Sequence, residues 1–310
     1  MRLIAVSPAP EEGVGCPTSE PECGVAQNAA ILLRFDRYLL PSTAIRQSIR
    51  VFSGSEDVGT SLLKPEYDLL ERVLIFRQSG LLQAGALYTI EVVVPTAAGD
   101  FGLRAFDGAP LAEGDVPLRF DFRVRQAPPP SADDEPPRDP VPASPLASFT
   151  SCLGGSCHSE GENGPRMGLD LSSREGVFGT AISKVARNAE TGSKTGLPLE
   201  NAPRLGVGMP VIDPSRPDNS FLVYKLLRRP ENLDDGSCST LYPSLGVEAN
   251  CTATRVREGE RLREWFVRGE GMPALKYLPL SGGGVEVQDP ALSPETTRGI
   301  QAWIRAGAPL

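Results

Sequence analysis

The 310-residue sequence contains a single histidine, His158. One histidine excludes, within one chain, two-histidine zinc sites, the HExxH arrangement of metalloproteases and a haem held between two imidazoles. Long apolar runs are also missing: no stretch approaches the ~18–20 residues that a membrane-spanning helix needs. Basic residues are in the minority, 31 Lys and Arg against 39 Asp and Glu, for a net charge of −8. That balance argues against a nucleic-acid binder, whose basic face must replace counterions along the phosphates. Cysteine is sparse, with six residues, too few for a fold stapled throughout by disulfides. The opening MRLIAVSPAP holds only a short apolar stretch before its prolines and does not read as a signal peptide.

What the sequence does contain is organised in two halves, as its length suggests at roughly 150 residues per domain. Glycine and proline are plentiful, 32 and 30 residues, and eight of the prolines fall between Pro128 and Pro145. This stretch, APPPSADDEPPRDPVPASP, carries four acids against Arg138. It lacks the apolar residues to offset the entropy of ordering, and its prolines keep it extended, so it reads as a solvated, semi-rigid linker. The expected division is a first domain over residues 1–126, the linker over 127–146 and a second domain over 147–310.

Before the linker the pattern has period two. Ile31, Leu33 and Phe35 alternate with Leu32, Arg34 and Asp36; Leu118, Phe120, Phe122 and Val124 alternate with Arg119, Asp121 and Arg123. Residues 48–53, 72–77 and 88–94 are rich in β-branched or aromatic side chains, and glycines punctuate the intervals. Short strands at such spacing predict an antiparallel all-β sandwich. The order VSPAPEEGV, LLRFDRYLLPST, LLQAGALYTIEVVV, DFGLRAFDGAPL and LRFDFRV resembles the bacterial Ig-like domain of the SbsA type, over about residues 5–125. That resemblance implies a spacer or interaction module with no catalytic residues. Cys16 and Cys23 lie in a segment that departs from the family pattern, as an extra loop with its own disulfide would.

After the linker the period changes to 3.6. Ser293 as N-cap, Pro294 at the first helical position and Glu295 in the first turn open a helix over residues 293–306, which Gly307 and Pro309 end. Its expected apolar face is Thr296, Ile300, Trp303 and Ile304. Further helices are expected over residues 257–268 and 221–227. No strand pairing is evident between them, so this half is expected to be mainly α.

The second half opens on PLASFTSCLGGSCHS, where Cys152, Cys157 and His158 form C-x4-C-H. It is a stretched form of the C-x-x-C-H pattern of covalent haem attachment, in which two thiols add to the haem vinyl groups and the adjacent imidazole reaches the iron. Gly154 and Gly155 supply the freedom that the wider spacing demands. Three other readings of these residues compete: a plain disulfide beside a solvated histidine, three ligands of a zinc ion that lacks a partnered fourth, and a redox dithiol. Cys16/Cys23 and Cys238/Cys251 read as local disulfides of an oxidising compartment. A thioether is the natural sixth ligand, and Met209 and Met272 each precede a proline, in GVGMP and GEGMP.

The order C-x4-C-H, MGLDLSS, VIDPSRPDNSFLVYKLL, GMP and LSPETTRGIQAWIRAGAP is similar to the planctomycete-type c cytochrome domains, over about residues 146–310. The resemblance implies thioether links at Cys152 and Cys157, His158 as the proximal iron ligand and Met272 as the distal one, with one covalent haem c per chain. Met272, like the family's Met-Pro, lies between the KLL segment and the terminal helix, whereas Met209 precedes that segment and is the alternative ligand. Residues 230–268 stand outside the family pattern as an insertion.

Two functions from different classes follow. The first is a monohaem c-type cytochrome, not an enzyme, that exchanges single electrons with a protein partner, its Ig-like domain acting as spacer or docking module. The acidic surface favours a basic redox partner and a salt-dependent association. The alternative is an exported adhesion or scaffold protein whose cysteine pairs are structural disulfides and which binds no haem. Both imply a periplasmic or cell-surface location.

Overall fold

The computed structural model describes residues 1–17, 19–59, 65–96, 101–126, 158–159, 168–186, 209–227, 241–248, 251–265, 267, 272, 276–279, 285–288 and 292–309. The expected linker, residues 127–146, lies outside them. The chain divides into two compact units, Met1–Pro137 with Ser239–Ala249, and Arg138–Cys238 with Asn250–Leu310. The first unit therefore takes eleven residues from within the 230–268 segment.

The first unit is built from β1 (Leu3–Ser7), β2 (Ile31–Phe35), β3 (Ile49–Ser53), β4 (Glu56–Asp57), β5 (Glu66–Asp68), β6 (Val73–Phe76), β7 (Leu87–Val92) and β8 (Arg119–Arg123). They form two four-stranded sheets, ordered β1-β2-β6-β5 and β4-β3-β7-β8. Every pairing is antiparallel. The five expected strands are present; β1, β4 and β5 were not anticipated. β1 comes from the opening residues, and it pairs with β2 through Val6 opposite Leu33. Cys16 and Cys23 are disulfide-bonded. Tyr67 is buried; its phenol oxygen accepts a hydrogen bond from the Leu39 N–H at 3.0 Å, and burial pushes its pKa far up.

The two sheets treat their second faces differently. In β7 and β8 burial alternates: Tyr88, Ile90, Val92, Phe120 and Phe122 are buried, while the residues between them are half-buried or exposed. The outward face carries ladder pairs of opposite charge, Arg50 to Glu91 at 3.3 Å and Arg119 to Glu91 at 2.7 Å. In β2, by contrast, all five residues are buried. Leu32 packs with Ala30, Val73, Ile75, Tyr242 and Leu245, so residues 241–245 cover the face that the alternating pattern would leave to solvent.

The second unit contains four α-helices among the described residues: α1 (Arg174–Thr180), α2 (Phe221–Leu227), α3 (Cys251–Trp265) and α4 (Pro294–Arg305). α2 has the expected bounds. α3 starts six residues before the expected helix over 257–268. In α4, Ser293 Oγ accepts from the Thr296 N–H at 3.0 Å, as the N-cap reading requires. The buried face of α4 includes Thr297, Ile300, Gln301, Trp303 and Ile304. Thr297 thus replaces Thr296 in the expected stripe, because it shares one side of the helix with Ile300, Gln301 and Ile304. Gly307, at φ 99°, ends the helix, and the Ala308 N–H returns to the Trp303 carbonyl at 3.0 Å.

One feature contradicts the expected absence of strand pairing in this half. β9 (Lys276–Pro279) and β10 (Val285–Gln288) form an antiparallel pair, with Tyr277 opposite Val287. The SGGG run between two short segments, the second alternating Val-Glu-Val-Gln, is the turn signal for it.

Candidate functional site

His158 is the one expected haem ligand next to the cysteine pair that lies among the described residues, and it is buried. Two hydrogen bonds tie it to the GLDL stretch. The Leu171 N–H donates to the His158 carbonyl at 2.9 Å. The imidazole Nδ1 lies 3.2 Å from the Leu169 carbonyl oxygen. A carbonyl oxygen only accepts, so Nδ1 carries the proton and, in the neutral ring, the lone pair is on Nε2. This is the arrangement in which a ligating histidine is held by its other nitrogen.

The GLDL stretch is itself fixed from below by α1. The Asp170 carboxylate accepts from the Ser172 N–H at 2.8 Å and from the Ser172 hydroxyl at 2.6 Å. Thr180 Oγ1 accepts from the Asp170 N–H at 2.9 Å and lies 3.1 Å from the Asp170 carbonyl, to which it can donate. Ser173 caps α1, its Oγ accepting from the Gly176 N–H at 2.9 Å. A Cβ on Gly176 would fall 2.3 Å from Asp170 Oδ2, so only glycine allows the carboxylate to lie against the helix. Asp170, Ser173, Gly176 and Thr180 were not among the expected site residues. The Ser-x-x-Gly and Asp-x-Ser spacings within LDLSSREG are the signals that would have found them.

The two candidate methionines occupy different places. Met209 is buried, and its carbonyl accepts from the Ala186 N–H at 3.0 Å in the strand-like segment that follows α1. Met272 is half-buried, and its N–H donates to the carbonyl of Lys225 on α2 at 2.9 Å. Each methionine is thus anchored through its own backbone, and none of the described hydrogen bonds joins either of them to His158. Cys152 and Cys157 lie outside the described residues. Cys251, the first residue of α3, is disulfide-bonded; Cys238, its expected partner, also lies outside them. Among the described residues no group of three or more His, Cys, Asp or Glu is placed to hold a metal ion. Among them, too, no helix is long and apolar enough to cross a membrane.

The His158 environment fits a haem ligand. The imidazole is buried, oriented by a backbone carbonyl, and in the tautomer whose Nε2 can donate a lone pair to iron. It follows the two cysteines directly in sequence.

No family model matches the chain, and no curated protein does. Among solved structures the chain is similar to the N-terminal part of the bacterial S-layer protein SbsC, at 14% identity and a TM-score of 0.26, over 46% of this chain and 24% of that one. Two further SbsC structures, one spanning its residues 31–844 and one its domains 1–6, give 15% and 16% identity with TM-scores of 0.24 and 0.25, each over 46% of this chain. The matched part amounts to 14% of each of those longer chains.

Proposed function

We propose that the protein is a monohaem c-type cytochrome that exchanges single electrons with a protein partner. The observation that carries this reading is the hydrogen bond between His158 Nδ1 and the Leu169 carbonyl, immediately after the two cysteines of C-x4-C-H. Cys152 and Cys157 would hold haem c by thioether bonds, with His158 as the proximal and Met272 as the distal iron ligand. When bound, such a group supplies a reversible one-electron couple.

The chain's own residues set the conditions for it. The Leu169 carbonyl fixes the ring plane and tautomer of His158, and as an acceptor it raises the basicity of Nε2. Burial of His158 keeps water from the imidazole. Asp170, Ser172 and Thr180 hold Leu169 in place, and Gly176 makes room for them. The Lys225 carbonyl, at the far end of α2, positions the Met272 backbone. With a net charge of −8, the chain favours a basic redox partner, and its association should weaken with salt. The β-unit, read as an Ig-like sandwich, serves as spacer or docking module. Thioether attachment and disulfides both call for the periplasm or cell surface.

A second reading is favoured by the Cys16–Cys23 bond and the disulfide at Cys251: an exported adhesion or scaffold protein in which all cysteine pairs are staples. One experiment separates the two. The chain is exported to a periplasm with c-type maturation machinery, denatured, run on a haem-stained gel and assayed as the pyridine haemochrome. Haem that stays with the denatured chain and is lost in Cys157→Ala establishes the cytochrome. A colourless chain beside a working maturation control leaves the scaffold reading. In the coloured protein, Met272→Ala should lower the reduction potential and Met209→Ala should leave it unchanged; the reverse outcome transfers the distal role to Met209.

A further inference from the structure

Residues 241–248 lie on the β1-β2-β6-β5 sheet as a ligand lies on a receptor. Their hydrogen bonds to the sheet residues span 174 to 212 positions in sequence. The flanking chain on both sides, up to Cys238 and from Asn250, belongs to the other unit. Nothing in the covalent structure of the sheet places them there, so side-chain chemistry must.

That chemistry is mixed and specific. Tyr242 and Leu245 pack on Leu32, Val73 and Ile75. The Tyr242 hydroxyl donates to Asp68 Oδ2 at 2.9 Å, and Asp68 is itself fixed by the N–H groups of Leu70 and Glu71 at 3.0 and 3.3 Å. Arg34 Nη1 donates to the Gly246 carbonyl at 2.8 Å, and Arg72 pairs with Glu248. Arg34, Arg72 and Asp68 are 2%, 1% and 1% exposed, so these polar groups are built into the face rather than scattered at its rim. Gly246 has φ 66° with open space around its Cβ position, so it is backbone conformation, not crowding, that calls for glycine.

We propose that this face is a peptide-binding surface for segments of the form Tyr-Pro-x-Leu-Gly-x-Glu, occupied in the resting chain by its own residues 241–248. Apolar contacts supply affinity, and the phenol, carbonyl and carboxylate contacts supply selectivity. Tethering raises the effective concentration of the chain's own segment, so it excludes the same sequence offered from outside, a second copy of the chain included. This inference is independent of the haem reading.

The probe is a fluorescent peptide of residues 239–249, STLYPSLGVEA, titrated against the full chain by anisotropy. Wild type should bind it weakly, because the face is filled. The double variant Tyr242→Ala/Leu245→Ala, whose own segment is loosened, should bind it at least about tenfold more tightly. A peptide carrying Glu248→Arg, which loses the ion pair and sets a like charge against buried Arg72, should bind at least about tenfold more weakly. Should the double variant fail to fold, Glu248→Arg in the chain replaces it, with the same expected direction against the unmodified peptide. Folded loosened variants that bind no better than wild type overturn the proposal, as does equal binding of the two peptides.

Discussion

Strands β2 (ILLRF) and β7 (LYTIEV) belong to the same unit, lie in sheets of equal size and end differently. Both put alternate apolar residues on an inner face. In β7 the other face stays partly in water and carries Thr89 and Glu91, paired with Asp121 and with Arg50 and Arg119. In β2 the other face carries Leu32 and Arg34, and residues 241–248 close over it. The difference teaches that period two reports which residues share a face, not whether that face is covered. Coverage is decided by a segment about two hundred residues later.

Substitutions on the two outward faces sharpen that contrast. The largest effect is expected from Leu32→Ala, which opens a cavity under residues 241–245 and should cost ~2–5 kcal/mol of stability in urea denaturation. If it behaves as a surface change, below ~0.5 kcal/mol, the covering segment is not seated on β2 in solution. Tyr242→Phe should cost less, about 1–2 kcal/mol, because it leaves the buried Asp68 carboxylate short of one donor while keeping the ring. Equal stability of wild type and variant would show that the phenol–carboxylate bond gives nothing net. The smallest effect is expected on the open sheet. Glu91→Gln removes the acid between Arg50 and Arg119, both more than half exposed, and should change stability by ~0–1 kcal/mol, less at high salt. A loss as large as that of Leu32→Ala would mean that β7 has a covered outer face as well.

The same contrast explains how much could be read from the sequence. Five strands of the first unit were legible because each carries its own alternation or a β-branched run, and such a signal is local. β4 and β5 are two and three residues long and polar, and β1 is an apolar run without clear alternation; all three are strands because a neighbour offers an edge. In the second unit α2 and α4 were legible from their apolar spacing and, for α4, from Ser293 and Pro294. The early start of α3 and the β9–β10 pair were not, since α3 is polar along most of its length and each strand of the pair is only four residues long. At the candidate site, His158 stood out as the lone histidine after two cysteines. Its orienting partner did not, because a backbone carbonyl such as that of Leu169 has no side-chain signature.

The sequence by itself determined the local features: the change of period across a proline-rich stretch, the alternation of the strands, most of the α4 face, the Ser293 cap, and the C-x4-C-H order on which the haem proposal rests. These rest on interactions within a few residues, where side-chain pattern and backbone preference act directly. Only the tertiary structure decided that Leu169 holds the His158 ring, that the Asp170 carboxylate lies where a Cβ on residue 176 would displace it, and that residues 241–248 complete the β2 face. The Arg34–Gly246 hydrogen bond on that face joins residues 212 positions apart, and which distant groups meet depends on how all the intervening elements pack together.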